Sequence, residues 1–171
     1  MKILKTNKKG FSLIELLVVL SIIGILANLA LISVRSAREK AFVARVKADQ
    51  SQLRTVILQL ESDTAKVPNY PTISTCTNNL IPTVLLDTSG SVGLAATDGN
   101  FPNWNGPYMS GIPNDSWYTP YYFDVWRVCN GQVGCEGIAD GTTVRAIVSF
   151  GPNKVEEEAV GSDDIVTVIC R

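Results

Sequence analysis

Residues 8–34 read KKGFSLIELLVVLSIIGILANLALISV, and this stretch decides the fold. From Phe11 to Val34 it holds 24 residues with a single charge, at Glu15, which is enough to cross a bilayer as a helix. The first ten residues carry four lysines and no acid. Because positive flanks stay in the cytoplasm, we expect a single-pass membrane protein with a cytoplasmic N-terminus, exported beyond about Arg35.

Glu15 is the unusual residue of this apolar stretch. A charged side chain at the centre of a membrane helix costs at least about 2.5 kcal/mol, so a lone acid there requires a partner. Two interpretations are open. Ser12 and Glu15 have the S-x-x-E spacing of a capping box, which would only organise the start of a helix. Alternatively, the carboxylate serves a positively charged partner.

The helix is predicted to continue well beyond the apolar stretch. The chain has no proline or glycine from Arg35 to Val67, and its apolar residues thin out to one face. This face is predicted to pack on a core and consists of Ala37, Ala41, Val46, Leu53, Val56, Ile57 and Leu60. Residues 11 to about 62 therefore form one predicted helix. Its first half is apolar all round, which suits only lipid or copies of itself.

The remaining chain has the texture of a small exported domain. Turn residues at 67–72 and a loop at 87–107 flank a short apolar piece at 80–86 whose type stays open. Three β-type runs follow, at 121–128, 143–150 and 165–169. An antiparallel sheet of three or more strands can bury one face against helix residues 41–60. The expected fold class is α+β, one long N-terminal helix packed on a small antiparallel sheet.

Cysteine occurs four times, always after the apolar stretch, at Cys76, Cys129, Cys135 and Cys170. The spacings match no zinc or redox motif, and an even number in an exported domain indicates two disulfides. Four cysteines permit three pairings. We favour Cys129 with Cys135 as a small loop clamp and Cys76 with Cys170 as a long-range bridge, with free buried thiols as the alternative.

Composition argues against an enzyme and against a nucleic-acid-binding protein. The chain has no histidine, which removes the commonest general base and transition-metal ligand. It has no G-x-S-x-G turn, HExxH or P-loop pattern, so we assign no catalytic residue. After the first ten residues the chain carries 11 basic and 16 acidic residues, the opposite of the balance that nucleic acid requires.

The run Lys8-Lys9-Gly10-Phe11-Ser12-Leu13-Ile14-Glu15, followed by an apolar helix, resembles the processing site of type IV pilins and of the pseudopilins of type II secretion. In that family a membrane peptidase cuts after the glycine and methylates the new N-terminal amine. The resemblance implies cleavage between Gly10 and Phe11, N-methylation of Phe11, and loss of a leader, residues 1–10. It also implies that Glu15 pairs with the Phe11 amine of a neighbouring subunit, selecting one register in a filament of identical chains.

The same resemblance implies how the chain is divided and what it meets. Residues 11–34 would form the transmembrane and assembly helix, and residues 35–171 a periplasmic or extracellular domain. The expected partners are the prepilin peptidase, an inner-membrane assembly platform, and minor pilins or pseudopilins. Many members carry a proline inside the apolar helix, but residues 30–33 have none, which leaves Gly24 and Asn28 as weaker candidates for a break.

Two stretches resemble the major pseudopilins in particular. One is Asn105-Gly106-Pro107-Tyr108 with the run at 112–121, and the other is 149–153 with 161–165. In that subfamily the second stretch is a calcium loop. The resemblance therefore implies a structural calcium ion with four ligands, Asn153, Ser162, Asp163 and Asp164. A solvated acidic turn is the alternative.

These stretches favour the main shaft subunit of a type II secretion pseudopilus, a filament that drives protein export. The disulfides and residues 73–104, which match no pattern of that subfamily, favour the alternative. That alternative is a subunit of a surface type IV pilus, used for adhesion, motility or DNA uptake.

Overall fold

The computed structural model describes residues 10–69, 76–77 and 83–170, and of Ile32 the backbone alone. One long helix precedes four strands: α1 (Leu13–Thr64), β1 (Val84–Leu85), β2 (Tyr122–Cys129), β3 (Thr142–Ser149) and β4 (Ile165–Cys170). The predicted α+β class, with one long helix and a small antiparallel sheet, is confirmed.

The four strands form one antiparallel sheet in the order β1-β2-β3-β4, so each strand pairs with its neighbour in sequence. The three predicted strands are confirmed to within one residue at each end. The apolar piece at 80–86 supplies β1, although 80–82 lie outside the described residues. Of the predicted turn at 67–72, residues 70–72 also lie outside them, and the loop at 87–107 has no helix or strand.

The described residues fall into two compact units, one ending at Ala41 and one beginning at Phe42. In the first unit, α1 contains a segment that is long and apolar enough to cross a membrane, and none of this segment is buried. The second unit has its own core, in which residues of α1 pack against one face of the sheet. Apolar residues of α1 are therefore exposed in the first unit and buried in the second.

The core of the second unit is built on the predicted face of α1. Val46, Leu53, Ile57 and Leu60 are completely buried, and Val56 is half-buried. They pack with strand residues that include Phe123, Val125, Ile147 and Ile165. Two other members of that face, Ala37 and Ala41, are exposed. The prediction was wrong for these alanines because they belong to the first unit, which has no sheet to pack on.

The opposite face of the sheet covers a smaller apolar cluster, formed by Cys129, Cys135, Val144, Ala146, Val148, Phe150 and Val166. The structure joins Cys129 to Cys135 and Cys76 to Cys170, the two pairs that the sequence favoured. The second bridge spans 94 residues and ties the end of β4 to the region that follows α1. A cross-link over so long a loop restricts the unfolded chain most strongly, by about 4–5 kcal/mol in the chain-entropy estimate.

Candidate functional site

The start of α1 presents the residues of the predicted processing site. The lysines at positions 8 and 9 lie outside the described residues, and Gly10, Phe11 and Ser12 precede the helix. Phe11 is 82% exposed. Gly10 is exposed as well, and a Cβ placed on it would meet no atom within 4 Å. The packing of the described residues therefore does not require glycine at position 10.

Glu15 is engaged at the beginning of α1. The Ser12 N–H donates to Glu15 Oε2 at 2.9 Å, and the Ile14 N–H donates to Ser12 Oγ at 3.4 Å. These two bonds form a variant of the capping box that the S-x-x-E spacing left open, in which the Ser12 hydroxyl accepts the N–H of Ile14 and not that of Glu15. All three residues are exposed, so the Glu15 carboxylate is also accessible to another molecule.

The first unit exposes a continuous apolar surface. Its described large apolar side chains within Leu13–Val34, which leave out Ile32, are between 46% and 87% exposed. The polar side chains of Ser21, Asn28 and Ser33 turn back and donate to main-chain carbonyls of α1 at 2.7, 3.0 and 3.2 Å. The helix is uninterrupted through Gly24 and Asn28, so neither candidate forms a break in the isolated chain. The surface therefore has its few polar groups satisfied and its apolar groups uncovered.

The run at 105–108 is anchored to the C-terminal end of α1. The Tyr108 O–H donates to Asp63 Oδ2 at 2.9 Å. Burial, joined by the Asp63 carboxylate, raises the pKa of Tyr108, so its hydroxyl stays a donor. A Cβ on Gly106 would lie 2.5 Å from the ring of Trp104, whose indole N–H is held by a main-chain carbonyl at 2.7 Å. Close packing therefore requires glycine at position 106.

Asp115 organises the run at 112–121. Its Oδ1 accepts the N–H groups of Trp117 at 2.9 Å and of Thr119 at 2.8 Å. Its Oδ2 accepts the O–H of Ser149, at the end of β3, at 2.6 Å. The residue is only 4% exposed. A buried carboxylate thus fastens this loop to the sheet, which gives the aspartate of the pseudopilin-like run a structural role.

The four candidate calcium ligands are engaged in different ways. Asn153 Oδ1 accepts the main-chain N–H two residues further on at 2.7 Å, and Asp163 Oδ2 accepts the Asn153 N–H at 3.0 Å. Asp163 Oδ1 and Ser162 Oγ are buried without a hydrogen-bond partner, as a metal ligand would be. Asp164 Oδ2 is bonded to Arg127, and its Oδ1 is also buried without a partner among the described residues. The described part of the chain holds no group of three Asp, Glu, Cys or His side chains that could bind a metal, so calcium stays a prediction.

Arg127, which the sequence reading missed, is completely buried on β2. Its guanidinium bonds the completely buried carboxylate of Asp164 and the main-chain carbonyl of Glu157, and Glu156 Oε1 lies 3.7 Å away. Burial raises the pKa of Asp164, and the guanidinium opposes this rise. A lone arginine inside an apolar β-type run was the available signal, because such a charge is buried only when it is paired.

Gln50 is a second buried polar residue that the sequence reading missed. It is completely buried on α1, its Nε2 donates to the carbonyl of Ile165 at 2.8 Å, and its Oε1 accepts the Thr167 O–H at 2.8 Å. Gln50 therefore ties the helix to β4. Its position between Val46 and Leu53 at helical spacing was the signal, because this spacing places Gln50 on the core-facing side of α1. The signal was missed because glutamine is usually solvent-exposed.

Comparisons with known proteins point to the N-terminal segment. The family model described as the prokaryotic N-terminal methylation motif matches residues 5–27. Three sequences from Dichelobacter nodosus, each described as type IV major fimbrial protein FimA, are 43% identical over 54 residues. These matches cover 32% of this chain and 34–35% of each relative, so the chain spans about a third of the length of the curated relatives it matches. No solved structure gives a significant match.

The matched motif contains the Gly10–Phe11 bond and Glu15, the exposed residues at the start of α1. The architecture agrees, with one long helix followed by a small antiparallel sheet. The N-terminal segment of the chain is therefore similar to that of type IV pilins, in the methylation motif at residues 5–27 and in the stretch shared with the fimbrial proteins.

Proposed function

We propose that the mature chain is the structural subunit of a helical filament made of many copies of itself. The observation that carries this proposal is the surface of Leu13–Val34, where the described large apolar side chains are 46–87% exposed. Water is a poor solvent for such a surface. Lipid covers it before assembly and identical helices cover it afterwards, which makes the subunit membrane-anchored first and filamentous later.

The precursor is cut between Gly10 and Phe11 by a prepilin peptidase, which then methylates the Phe11 amine. The match to the methylation motif supports this step. The open space around Gly10 supports it as well. Because the chain itself does not require glycine there, the requirement comes from an enzyme that must reach the peptide bond. The cut removes residues 1–10 with their four lysines and leaves residues 11–34 as the anchor.

Glu15 pairs with the Phe11 amine of a neighbouring copy once the helices are bundled. In the isolated chain its carboxylate accepts one bond, from the Ser12 N–H, and an ionised carboxylate accepts several. A neighbour placed in the wrong register would leave a charge buried and unpaired, which costs about 3–5 kcal/mol. The pair therefore selects one stagger between subunits more than it adds affinity.

The globular unit, from Phe42 onward, lies in the periplasm or outside the cell, while the N-terminus of the precursor lies in the cytoplasm. Two disulfides suit an oxidising compartment. An inner-membrane assembly platform and minor pilins or pseudopilins are the further partners, as the similarity to type IV pilins implies. Nucleic acid is not proposed as a ligand of the subunit.

The filament is proposed to be a type II secretion pseudopilus, in which this chain is the main shaft subunit. The run at 105–108 and the Asp115 loop support this assignment, because side-chain hydrogen bonds fasten both to the rest of the fold, part-buried at Tyr108 and buried at Asp115. A surface type IV pilus is the second candidate, favoured by relatives named as fimbrial proteins and by the two disulfides. Deleting the gene separates them. Loss of exported proteins from the medium indicates a pseudopilus, and loss of long surface filaments under the electron microscope indicates a pilus.

The Glu15→Gln variant tests the assembly charge. Glutamine still accepts the Ser12 N–H in a capping box but carries no charge. We expect normal processing and membrane insertion with strongly reduced filament yield. The matched control is Ser12→Ala, which weakens the cap by about 0.5–2 kcal/mol and keeps the carboxylate, so its filament yield should be near normal. Normal filaments from Glu15→Gln would show that the carboxylate only caps the helix.

The intact mass of the mature chain tests the processing site. We expect a mass that lacks residues 1–10, includes one added methyl group, and is four hydrogens lighter than the fully reduced chain because of the two disulfides. Gly10→Leu should retain the leader, because its side chain obstructs the peptidase and not the fold. Efficient removal of the leader from Gly10→Leu would refute the assigned cut.

A further inference from the structure

We infer that Arg127 is the built-in structural cation of the C-terminal loop, residues 151–164, and that the order of this loop does not depend on a bound metal ion. The loop connects β3 to β4 and carries five acids against one base, Lys154. All five acids lie in two groups, the run Glu156–Glu158 and the pair Asp163 and Asp164. Such a loop needs a positive partner to fold back on the sheet.

The structure supplies that partner from β2. Arg127 and Asp164 are both completely buried and bonded to each other, and the Glu157 N–H donates to the same oxygen of Asp164 at 3.0 Å. The guanidinium also bonds the Glu157 carbonyl and lies 3.7 Å from a Glu156 carboxylate oxygen. One side chain thus gathers both ends of the acidic part of the loop.

Neighbouring residues of the same strand region extend the contact. The Val128 N–H donates to Glu158 Oε1 at 3.3 Å, and Asn130 Nδ2 donates to the Glu158 carbonyl at 2.5 Å. The loop therefore runs along β2 with Arg127 at the buried end of the contact.

A guanidinium can do here what a calcium ion does in a metal-bound loop. It is always charged, and its planar fork offers five N–H donors to carboxylate and carbonyl oxygens, the oxygens that calcium also prefers. Asp164 Oδ2 is occupied by this contact, and a second cation beside it would be repelled. In the described residues, Ser162 Oγ, Asp163 Oδ1 and Asp164 Oδ1 are buried without a partner, but no group of three Asp, Glu, Cys or His side chains is placed to bind a metal, whereas calcium takes six to eight oxygens.

Hydrogen–deuterium exchange on the full-length chain in detergent tests this inference. In the wild type we expect the amides of 151–164 to exchange at the same rate in EDTA and in millimolar CaCl₂. In Arg127→Met we expect the same amides to exchange at least about tenfold faster in both buffers, because the loop opens locally. Faster exchange of the wild-type loop in EDTA, or an unchanged loop in Arg127→Met, would overturn the inference.

Arg145→Met is the matched control. Arg145 is also a buried arginine on the sheet, 6% exposed, but its partner is Glu61 on α1, at 3.1 Å. Its loss should weaken the whole globular unit without selectively speeding exchange in the loop. A loop response as large as that of Arg127→Met would mean that any buried arginine holds the loop, and the specific role would be refuted.

Asp163→Asn keeps the inference testable if Arg127→Met does not fold. Asparagine keeps an acceptor for the Asn153 N–H and removes a metal-binding carboxylate. We expect exchange of the loop to be unchanged in this variant and insensitive to calcium. Calcium-dependent protection in the wild type that disappears in Asp163→Asn would show that a metal, not Arg127, holds the loop.

Discussion

Leu17 and Leu53 lie on the same helix, yet Leu17 is 68% exposed and Leu53 is completely buried. The contrast holds for the two units as a whole. In the first, apolar residues of α1 are uncovered, whereas in the second they pack against a sheet. The difference shows that the globular unit buries its own core and that the first unit leaves its apolar side chains exposed, which is the surface that the proposed membrane anchor and filament core would cover. The chain thus combines a domain that has a buried core with a helix whose apolar surface is exposed.

The largest expected effect comes from truncating a leucine to alanine in each unit. Leu53→Ala should lower the free energy of unfolding of the globular unit by about 2–5 kcal/mol, because it leaves a cavity in a packed core. Leu17→Ala should change it by less than about 0.5 kcal/mol, because the side chain is exposed. Urea unfolding followed by tryptophan fluorescence measures both. A destabilisation by Leu17→Ala comparable to that by Leu53→Ala would contradict the conclusion that only Leu53 belongs to a packed core.

The next effect concerns a buried polar residue that has all its partners inside the globular unit. Asp115→Ala leaves the Trp117 and Thr119 N–H groups and the Ser149 O–H without their acceptor, and should cost about 2–3 kcal/mol. Asp115→Asn keeps one acceptor oxygen and should cost less. Asp140→Ala, at an exposed acid, is the control and should fall within about 0.5 kcal/mol of the wild type by thermal unfolding.

The smallest effect is a dependence on alkaline pH. Burial, then the nearby Asp49 carboxylate, raises the pKa of Tyr121 above its usual value near 10. The folded chain therefore keeps a proton that the unfolded chain loses, so the contribution of Tyr121 to stability is complete below pH 10 and declines as pH rises above it.

Tyr121→Phe should flatten this decline and cost about 1 kcal/mol at neutral pH through its lost bond to Asp49, 3.1 Å long in the wild type. Urea midpoints between pH 8 and 11 would measure both. Tyr118→Phe is the control, because Tyr118 is 84% exposed and should not alter the slope. An identical slope in Tyr121→Phe would contradict the assignment.

The elements of the fold were predictable where local pattern and tertiary packing agree. The three strands after residue 120 are β-branched and aromatic runs, and their bounds were predicted to within one residue. The helix was predictable because nothing breaks it between Gly24 and Pro68. The failures lie at polar positions. Gln50 and Arg127 are buried because partners distant in sequence satisfy them, which no local pattern records.

Helical period, hydropathy and charge are local properties. They were therefore sufficient to predict the long helix, its apolar first half with one acid, and the motif that includes the preceding glycine. Tertiary structure alone decided where burial begins on α1 and which polar residues are buried. It also placed the acidic C-terminal loop against an arginine on β2. The physical reason is that burial and charge pairing depend on which segments distant in sequence come into contact. The tendency to form a helix and enter a membrane depends on the local sequence alone.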